Sequence, residues 1–174
     1  MDQYDEQEFE EYFTTRRDAV RRTAYLICGD WHRADDLAQT AFVALHRRWR
    51  KIRDKRALDA YVRRSLMRAA IDESRRPWRR EHAVEELPDT SSNGSEDIVG
   101  NVVARRSALV DGLQRVPPRQ RAVLVLRFFE GLSVADVAST LNCTEGTVKS
   151  QTARGLDALR TALGDALDDL RPAS

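Results

Sequence analysis

The stretch from Leu132 to Arg160, "LSVADVASTLNCTEGTVKSQTARGLDALR", decides the fold of the second half of the chain. Ser133 stands before an apolar run and is followed three residues later by Asp136, a pattern typical of a helix start. Asn142 tolerates the left-handed conformation that ends a helix, and Thr144 can cap the next one. The stretch therefore predicts two helices joined by a short turn, a helix-turn-helix motif.

The second helix of this motif has two different faces. With Val148 as the reference for the inner side, the residues on the same side are Thr152, Gly155, Leu156 and Leu159. The outer side carries Thr147, Ser150, Gln151 and Arg154, with Lys149 beside them. In a helix-turn-helix the second helix enters the major groove, where such side chains can bond to base edges and a lysine can contact phosphate. The pattern indicates a reader of duplex DNA; the alternative is an ordinary solvated amphipathic helix.

The rest of the chain is also predicted to be helical, so the fold class is all-α. Residues Glu86 to Asp97 are rich in Ser, Asn, Gly, Pro and Asp and have no periodic apolar face, which is typical of a linker. We therefore predict two helical domains, residues 1–80 and 104–174, joined by an acidic flexible linker over 81–103. The further helices are predicted over Asp5–Ile27 with Gly29 as a stop, Arg33–Trp49, Arg56 toward Pro77, Ile98–Val116, and Pro118 to a stop at Gly131.

Charge is distributed unevenly, although the net charge is only +1. Residues 45–80 hold 14 Lys and Arg against four acids, whereas residues 81–104 hold six acids and no Lys or Arg. On the third predicted helix, Arg64, Arg68 and Arg75 share one face, Arg76 extends it and Tyr61 flanks it. Because like charges so close together repel unless phosphates neutralise them, this face predicts nucleic-acid contact. A solvated arginine face is the alternative.

Other classes of protein find little support in the 174 residues. No apolar run is long enough to span a membrane, and the acidic amino terminus lacks the order of a secretory signal, so we expect a cytoplasmic protein. Cys28 and Cys143 lie far apart and predict no disulfide framework. Cys28 and His32 could form only half of a metal site. There is no phosphate loop or catalytic constellation, so we expect neither an enzyme nor a cofactor.

The chain resembles a known family, the extracytoplasmic-function (ECF) sigma factors of bacterial RNA polymerase. The run "LQRVPPRQRAVLVLRFFEGLSVADVASTLNCTEGTVKSQTARGLDALR" resembles the fourth conserved sigma domain. The runs "ADDLAQTAFVALHRRW" and "YVRRSLMRAAIDESRR" resemble the second. The two domains in this order, without a third between them, are typical of this minimal class, and the short actinobacterial SigE-like group is the most similar.

The resemblance implies a role for each surface. Docking on the beta-prime clamp helices of the polymerase core would fall to Asp35, Asp36, Leu37, Gln39 and Phe42. The segment from Trp49 to Arg76 would open the minus-ten promoter element and hold an extruded base, through Tyr61, Arg64, Arg68, Arg75 and Arg76. The minus-thirty-five element would be read by Thr147, Lys149, Ser150, Gln151 and Arg154. The implied partners are the polymerase core, including its beta flap, promoter DNA, and an anti-sigma factor on the docking face.

Two departures limit what the resemblance implies about sequence preference. Arg68 stands where members often have Asn, and Gln151 stands where an Arg commonly follows "GTVKS". Two other hypotheses also remain. One is a stand-alone helix-turn-helix regulator whose first half serves dimerisation or ligand binding, with palindromic sites. The other is an adaptor or anti-sigma protein whose partner is chiefly protein.

Overall fold

The computed structural model of the protein describes residues 2–76 and 97–169, and within these two ranges every regular element is helical. The first range holds three α-helices and the second holds four, joined in part by short 3₁₀ turns and one π-helical segment. In chain order they are α1 (Gln3–Cys28), α2 (Trp31–Arg48), α3 (Leu58–Ser74), α4 (Asp97–Arg115), α5 (Pro118–Leu124), the π segment (Val125–Phe129), α6 (Val134–Leu141) and α7 (Glu145–Asp169). The all-α prediction is confirmed.

The predicted stop and cap residues occupy the helix ends. Gly29 ends α1 in the left-handed conformation at φ 73°. Ser133 accepts a hydrogen bond from the Asp136 N–H at 3.1 Å and so caps α6. Asn142 ends α6 at φ 53°, and the Thr144 hydroxyl accepts from the Thr147 N–H at 3.1 Å at the start of α7. Local capping rules therefore set these ends, and the turn between α6 and α7 has the predicted form.

Of the predicted flexible linker, residues 81–103, the structure describes only residues 97–103, and these belong to α4. Residues 81–96 lie outside the described ranges, and from Asp97 onward the chain is helical. The separate prediction of a helix over Ile98–Val116 fits α4. Helix α3 ends at Ser74, before Pro77, which also lies outside the described residues.

One difference from the predicted helices lies between Pro118 and Gly131. Instead of one continuous α-helix, α5 passes at Leu124 into a π-helical turn, closed by the Glu130 N–H donating to the Val125 carbonyl at 3.0 Å. This wider turn changes the direction of the following side chains. Phe128 and Phe129 consequently lie on the surface, 56% and 47% exposed.

The two lobes, defined as α1–α3 and α4–α7, share one hydrophobic core. Leu66 and Met67 from α3 belong to the same buried cluster as Val125 and Val137 from the second lobe. A smaller cluster around Leu113 and Leu124 takes in Leu26 of α1. The sequence pattern predicts two separate lobes, and the structure packs them directly against each other.

Polar contacts complete the junction between the lobes. The Arg121 guanidinium donates to the Ile27 carbonyl at 2.7 Å, and the Gln114 amide donates to the Leu26 carbonyl at 3.2 Å. Both carbonyls lie in the last turn of α1, where the helix leaves its acceptors without internal partners. The second lobe therefore supplies hydrogen-bond donors to carbonyls that have no partner within α1.

Candidate nucleic-acid interface

Helix α7 presents the two faces that its sequence predicts. Val148 is fully buried, and Gly155 lies so close to Leu124 that an added Cβ would stand 3.1 Å from its side chain. On the other side Lys149, Ser150 and Arg154 are exposed. The absence of a side chain at Gly155 thus favours the close approach of α7 to α5, and in this packing Lys149, Ser150 and Arg154 face outward.

The outward side chains of α7 differ in their hydrogen bonds and ion pairs with the rest of the protein. The Thr147 hydroxyl lies 2.9 Å from that of Thr144, and the Ser150 hydroxyl donates to the Thr147 carbonyl at 3.1 Å. Gln151 is half-buried, and its side-chain oxygen has no hydrogen-bond partner in the described part of the chain. Lys149 and Arg154 form no ion pair with any described residue. These two cations can therefore reach a ligand without breaking an internal contact.

A second cationic surface lies on α3 and its end. Arg64, Arg68, Arg75 and Arg76 are all exposed, as the sequence predicts. Tyr61 is half-buried between α2 and α3, where its hydroxyl donates to the Ala44 carbonyl at 3.4 Å. Its ring therefore packs at the edge of the core, beside the arginine face.

The segment between α2 and α3, residues 49–57, continues this cationic surface. It consists of two short 3₁₀ turns and exposes Arg50, Arg53, Lys55 and Arg56. Trp49 is buried against Phe9 of α1, with ring centroids 5.2 Å apart, so the segment is anchored to the start of α1. We call residues 49–57 the cationic loop.

Acidic residues of α1 cover part of this loop. Asp5 pairs with Arg50 at 3.1 Å, and Glu8 pairs with Lys55 at 2.6 Å. The Lys55 ammonium also lies 4.2 Å from the centre of the Trp49 ring. Sequence reasoning missed these pairs. The only signal was the acid-rich start of α1, which is equally typical of an ordinary helix amino terminus.

The predicted protein-docking residues of α2 divide into two groups. Asp35, Asp36 and Gln39 are exposed, and Asp35 forms an ion pair with Arg21 of α1. Leu37 and Phe42 are only 5% and 4% exposed, so they present little surface, and their contact with a partner stays a prediction. Both belong to the inward stripe of α2, and the packing of α1 and α3 buries them.

An apolar groove runs between α1 and α2 beside these exposed residues. Its volume is about 710 Å³. Aromatic rings form its floor and charged or polar groups form its rim: Phe9, Phe13, Phe42, Arg21, Asp35 and Gln39. A partner that contacts Asp35 and Gln39 would therefore lie over this groove.

Other kinds of site leave few traces in the structure. Across residues 2–76 and 97–169, no three His, Cys, Asp or Glu side chains are grouped as metal ligands would be. Both cysteines are free, and burial raises the pKa of the Cys28 thiol. Of the helices in those ranges, none combines the length and the apolar character that crossing a bilayer requires.

Both halves of the chain match known families. Residues 12–80 match the family described as Sigma-70 region 2, and residues 106–159 match Sigma-70, region 4. The chain belongs to the sigma-70 family. Within it, the chain is similar to extracytoplasmic-function sigma factors and is an alternative sigma factor of the SigE-like type.

Relatives of this sigma factor cover most of its length. The RNA polymerase sigma-E factors of Streptomyces avermitilis and Streptomyces coelicolor are 41% and 40% identical to it, over 90% of this chain and 85% and 86% of theirs. The ECF sigma factor SigM of Mycobacterium tuberculosis is 31% identical over 90% of this chain and 77% of its own. The hypothesis of a stand-alone regulator does not account for the region 2 match.

A solved structure has the same fold. The sigma factor RpoE of Bartonella quintana, crystallised with the anti-sigma factor NepR, is similar with a TM-score of 0.68 at 20% identity. The similarity covers 91% of this chain and 98% of that one. The arrangement of helices is therefore that of a sigma factor along nearly the whole chain.

Proposed function

We propose that this alternative sigma factor reads the two promoter elements with two separate cationic surfaces. Helix α3 and the cationic loop contact the unwound minus-ten element, and α7 contacts the minus-thirty-five element as duplex. The observation that carries the proposal is the position of the exposed cations. Arg64 and Arg68 lie in the part that matches region 2, and Lys149 and Arg154 in the part that matches region 4.

The two exposed cations of α7 suit different parts of the DNA. The Arg154 guanidinium has a planar fork of donors that suits the two acceptors of guanine in the major groove. Lys149 is better suited to a phosphate, which fixes orientation without reading sequence. Thr147, Ser150 and Gln151 supply short polar contacts between them. The amide oxygen of Gln151 is buried without a protein partner, so its side chain has to turn outward before it can bond to a base edge.

Helix α3 is proposed to recognise single-stranded DNA. A base must leave the stack before its pairing edge can be read, at a cost of roughly a few kcal/mol. Arg64, Arg68, Arg75 and Arg76 offset this cost by neutralising the phosphates of the separated strand. Tyr61 lies beside them and offers an aromatic edge to the extruded base. The protein forms and breaks no covalent bond in this process, so we infer that it is not an enzyme.

Docking on the polymerase core would use the exposed residues of α2. Asp35, Asp36 and Gln39 form the polar part of this surface, and the groove between α1 and α2 forms the apolar part. Leu37 and Phe42 support the surface from below. On the second lobe, Phe128 and Phe129 are large exposed apolar side chains that suit the beta flap.

The proposal has two further parts, an inhibitor and a location. The Bartonella protein was crystallised with an anti-sigma factor, and we propose that an inhibitor of that class binds the docking surface of this chain too. A protein that works on promoter DNA acts where the chromosome is, so we propose a cytoplasmic location. The domain assignment stays as predicted: residues 1–80 for core docking and the minus-ten element, and 104–174 for the minus-thirty-five element.

Run-off transcription with purified polymerase core tests the proposal. The wild-type chain should direct initiation at promoters whose start sites appear when the protein is overproduced. Asp36→Arg combined with Gln39→Ala should weaken binding to the core, whereas Glu10→Arg on an exposed part of α1 should not. A chain that leaves core polymerase unbound and binds palindromic sites as a dimer would overturn the proposal.

A further inference from the structure

We propose that the acidic start of α1 competes with single-stranded DNA for the cationic loop. Asp5 and Glu8 pair with Arg50 and Lys55, one cation in each 3₁₀ turn of that loop, and a nucleic-acid backbone must displace these carboxylates to bind there. The inference rests on the proposed function, since it concerns the surface assigned to the minus-ten element.

The two ion pairs lie on one edge of α1. Asp5 and Glu8 are three residues apart and therefore neighbours on one side of the helix. Their partners belong to separate 3₁₀ turns, Arg50 in Trp49–Lys51 and Lys55 in Lys55–Ala57. One edge of one helix thus reaches both 3₁₀ turns of the loop.

The covered cations remain accessible to a competitor. The side chains of Arg50 and Lys55 are 59% and 52% exposed although each has an acidic partner. The hydrogen bond from Lys55 lowers the pKa of Glu8, so this carboxylate is charged at neutral pH. Exposed ion pairs of this kind are weak: each changes the equilibrium constant between the paired and the separated state by about fivefold at most. A polyanion can therefore displace them.

The loop does not depend on these ion pairs for its position. Trp49 is 3% exposed and packs against Phe9 and Tyr12 of α1, which keeps the loop beside the helix. Asp54 caps the second turn by accepting from the Arg56 N–H at 2.9 Å. Removing the carboxylates of Asp5 and Glu8 should therefore release two cations and leave the loop in place. The expected effect on DNA binding is a gain.

The test compares two charge-matched double variants of the full chain. Asp5→Asn with Glu8→Gln removes both covering carboxylates. Glu6→Gln with Glu10→Gln removes the same charge from exposed positions of α1 that form no ion pair with a described residue. The probe is fluorescent oligodeoxythymidine, because contacts to its backbone do not depend on base sequence. Affinity is measured by anisotropy from 50 to 200 mM salt, and circular dichroism checks that all variants are folded.

The first variant should bind the probe about two- to fivefold more tightly for each released cation, and the slope of its logarithmic salt dependence should steepen by about 0.7 for each. The second variant should gain clearly less. In a Lys55→Met background, Glu8→Gln should give no gain. Equal gains for both variants, a loss on Asp5→Asn with Glu8→Gln, or no binding by any variant would each overturn the inference. Run-off transcription by the wild type reports separately on the proposed function.

Discussion

Arg63 of the first lobe and Glu130 of the second form an ion pair at 3.3 Å, and both side chains are half-buried. The same carboxylate accepts from the Thr23 hydroxyl of α1 at 2.5 Å. Glu130 directly follows the π segment and so connects the second lobe to two helices of the first. This contact belongs to the closed arrangement of the lobes.

The closed arrangement cannot serve both promoter elements at once. From position minus ten to minus thirty-five is about 25 base pairs, or roughly 85 Å at 3.4 Å per base pair. A compact chain of this length has a radius of gyration of roughly 16 Å. If the two lobes contact both elements, they must separate, and the contacts at their junction must break on the polymerase.

The Glu130 contact should stabilise the closed chain. Replacing Glu130 by Ala leaves the half-buried Arg63 and the buried Thr23 hydroxyl without this partner, so we expect the free energy of unfolding to fall by about 1–3 kcal/mol. Urea denaturation measures it. Glu10→Ala, at an exposed position on α1, is the control and should change stability by less than about 0.5 kcal/mol. Equal effects would show that Glu130 contributes nothing specific.

Cys28 should report the separation of the lobes. It is 6% exposed and lies at the junction beside Pro118 and Arg121. Because burial also raises its pKa, less of the thiol is ionised at any given pH, and iodoacetamide should modify it about tenfold or more slowly than the half-buried Cys143. Adding polymerase core should accelerate modification of Cys28. Mass spectrometry of the labelled peptides gives both rates, and a Cys28 rate that core polymerase leaves unchanged would contradict the opening.

Arg121 should be intolerant of replacement by lysine. Its guanidinium donates to the Leu113, Ile27, Gln114 and Val116 carbonyls at 2.6–2.9 Å, and burial lowers its pKa to about 10. A lysine ammonium has three donors on a flexible stem and cannot satisfy this set. Arg121→Lys should cost about 2–4 kcal/mol of stability in urea denaturation. Arg119→Lys at an exposed neighbouring position should cost almost nothing, and similar losses in both would refute the role of the fork.

Substitutions of Arg154 and Lys149 on α7 should affect DNA binding in different ways. In holoenzyme binding to promoter variants, Arg154→Ala should relax preference at one base pair of the minus-thirty-five element, a loss of about 1–3 kcal/mol in discrimination. Lys149→Ala should weaken binding to all sequences alike and reduce the salt slope by about one. If Arg154→Ala leaves the preference intact, the outward face of α7 is assigned wrongly.

Local features of this fold could be predicted from the sequence. Gly29, Ser133, Asn142 and Thr144 act through bonds within a few residues, and these bonds depend on residue type alone. The buried side of α7 followed from helical spacing for the same reason. The burial of Leu37 and Phe42 could not be predicted in the same way, because the family resemblance marked a helix, whereas packing decides which of its residues stay on the surface.

Long-range features could not be predicted in this way. The shared core joins residues such as Met67 and Val137, which belong to one buried cluster only because of how two sets of helices pack. The ion pairs of Asp5 and Glu8 join positions more than forty residues apart. The π segment at Val125–Phe129 consists of residues that fit an ordinary α-helix, and the widened turn left no pattern to detect.

The common interior of the two lobes also affects how the protein behaves when it is divided. A cut within residues 77–96 would yield halves that each carry an uncovered apolar face, Leu66 and Met67 on one and Val125 and Val137 on the other. Such halves should adhere to each other or to themselves in solution. We therefore expect the free protein to unfold as one cooperative unit. Its two lobes can act separately only when a partner covers the apolar surfaces that they bury against each other.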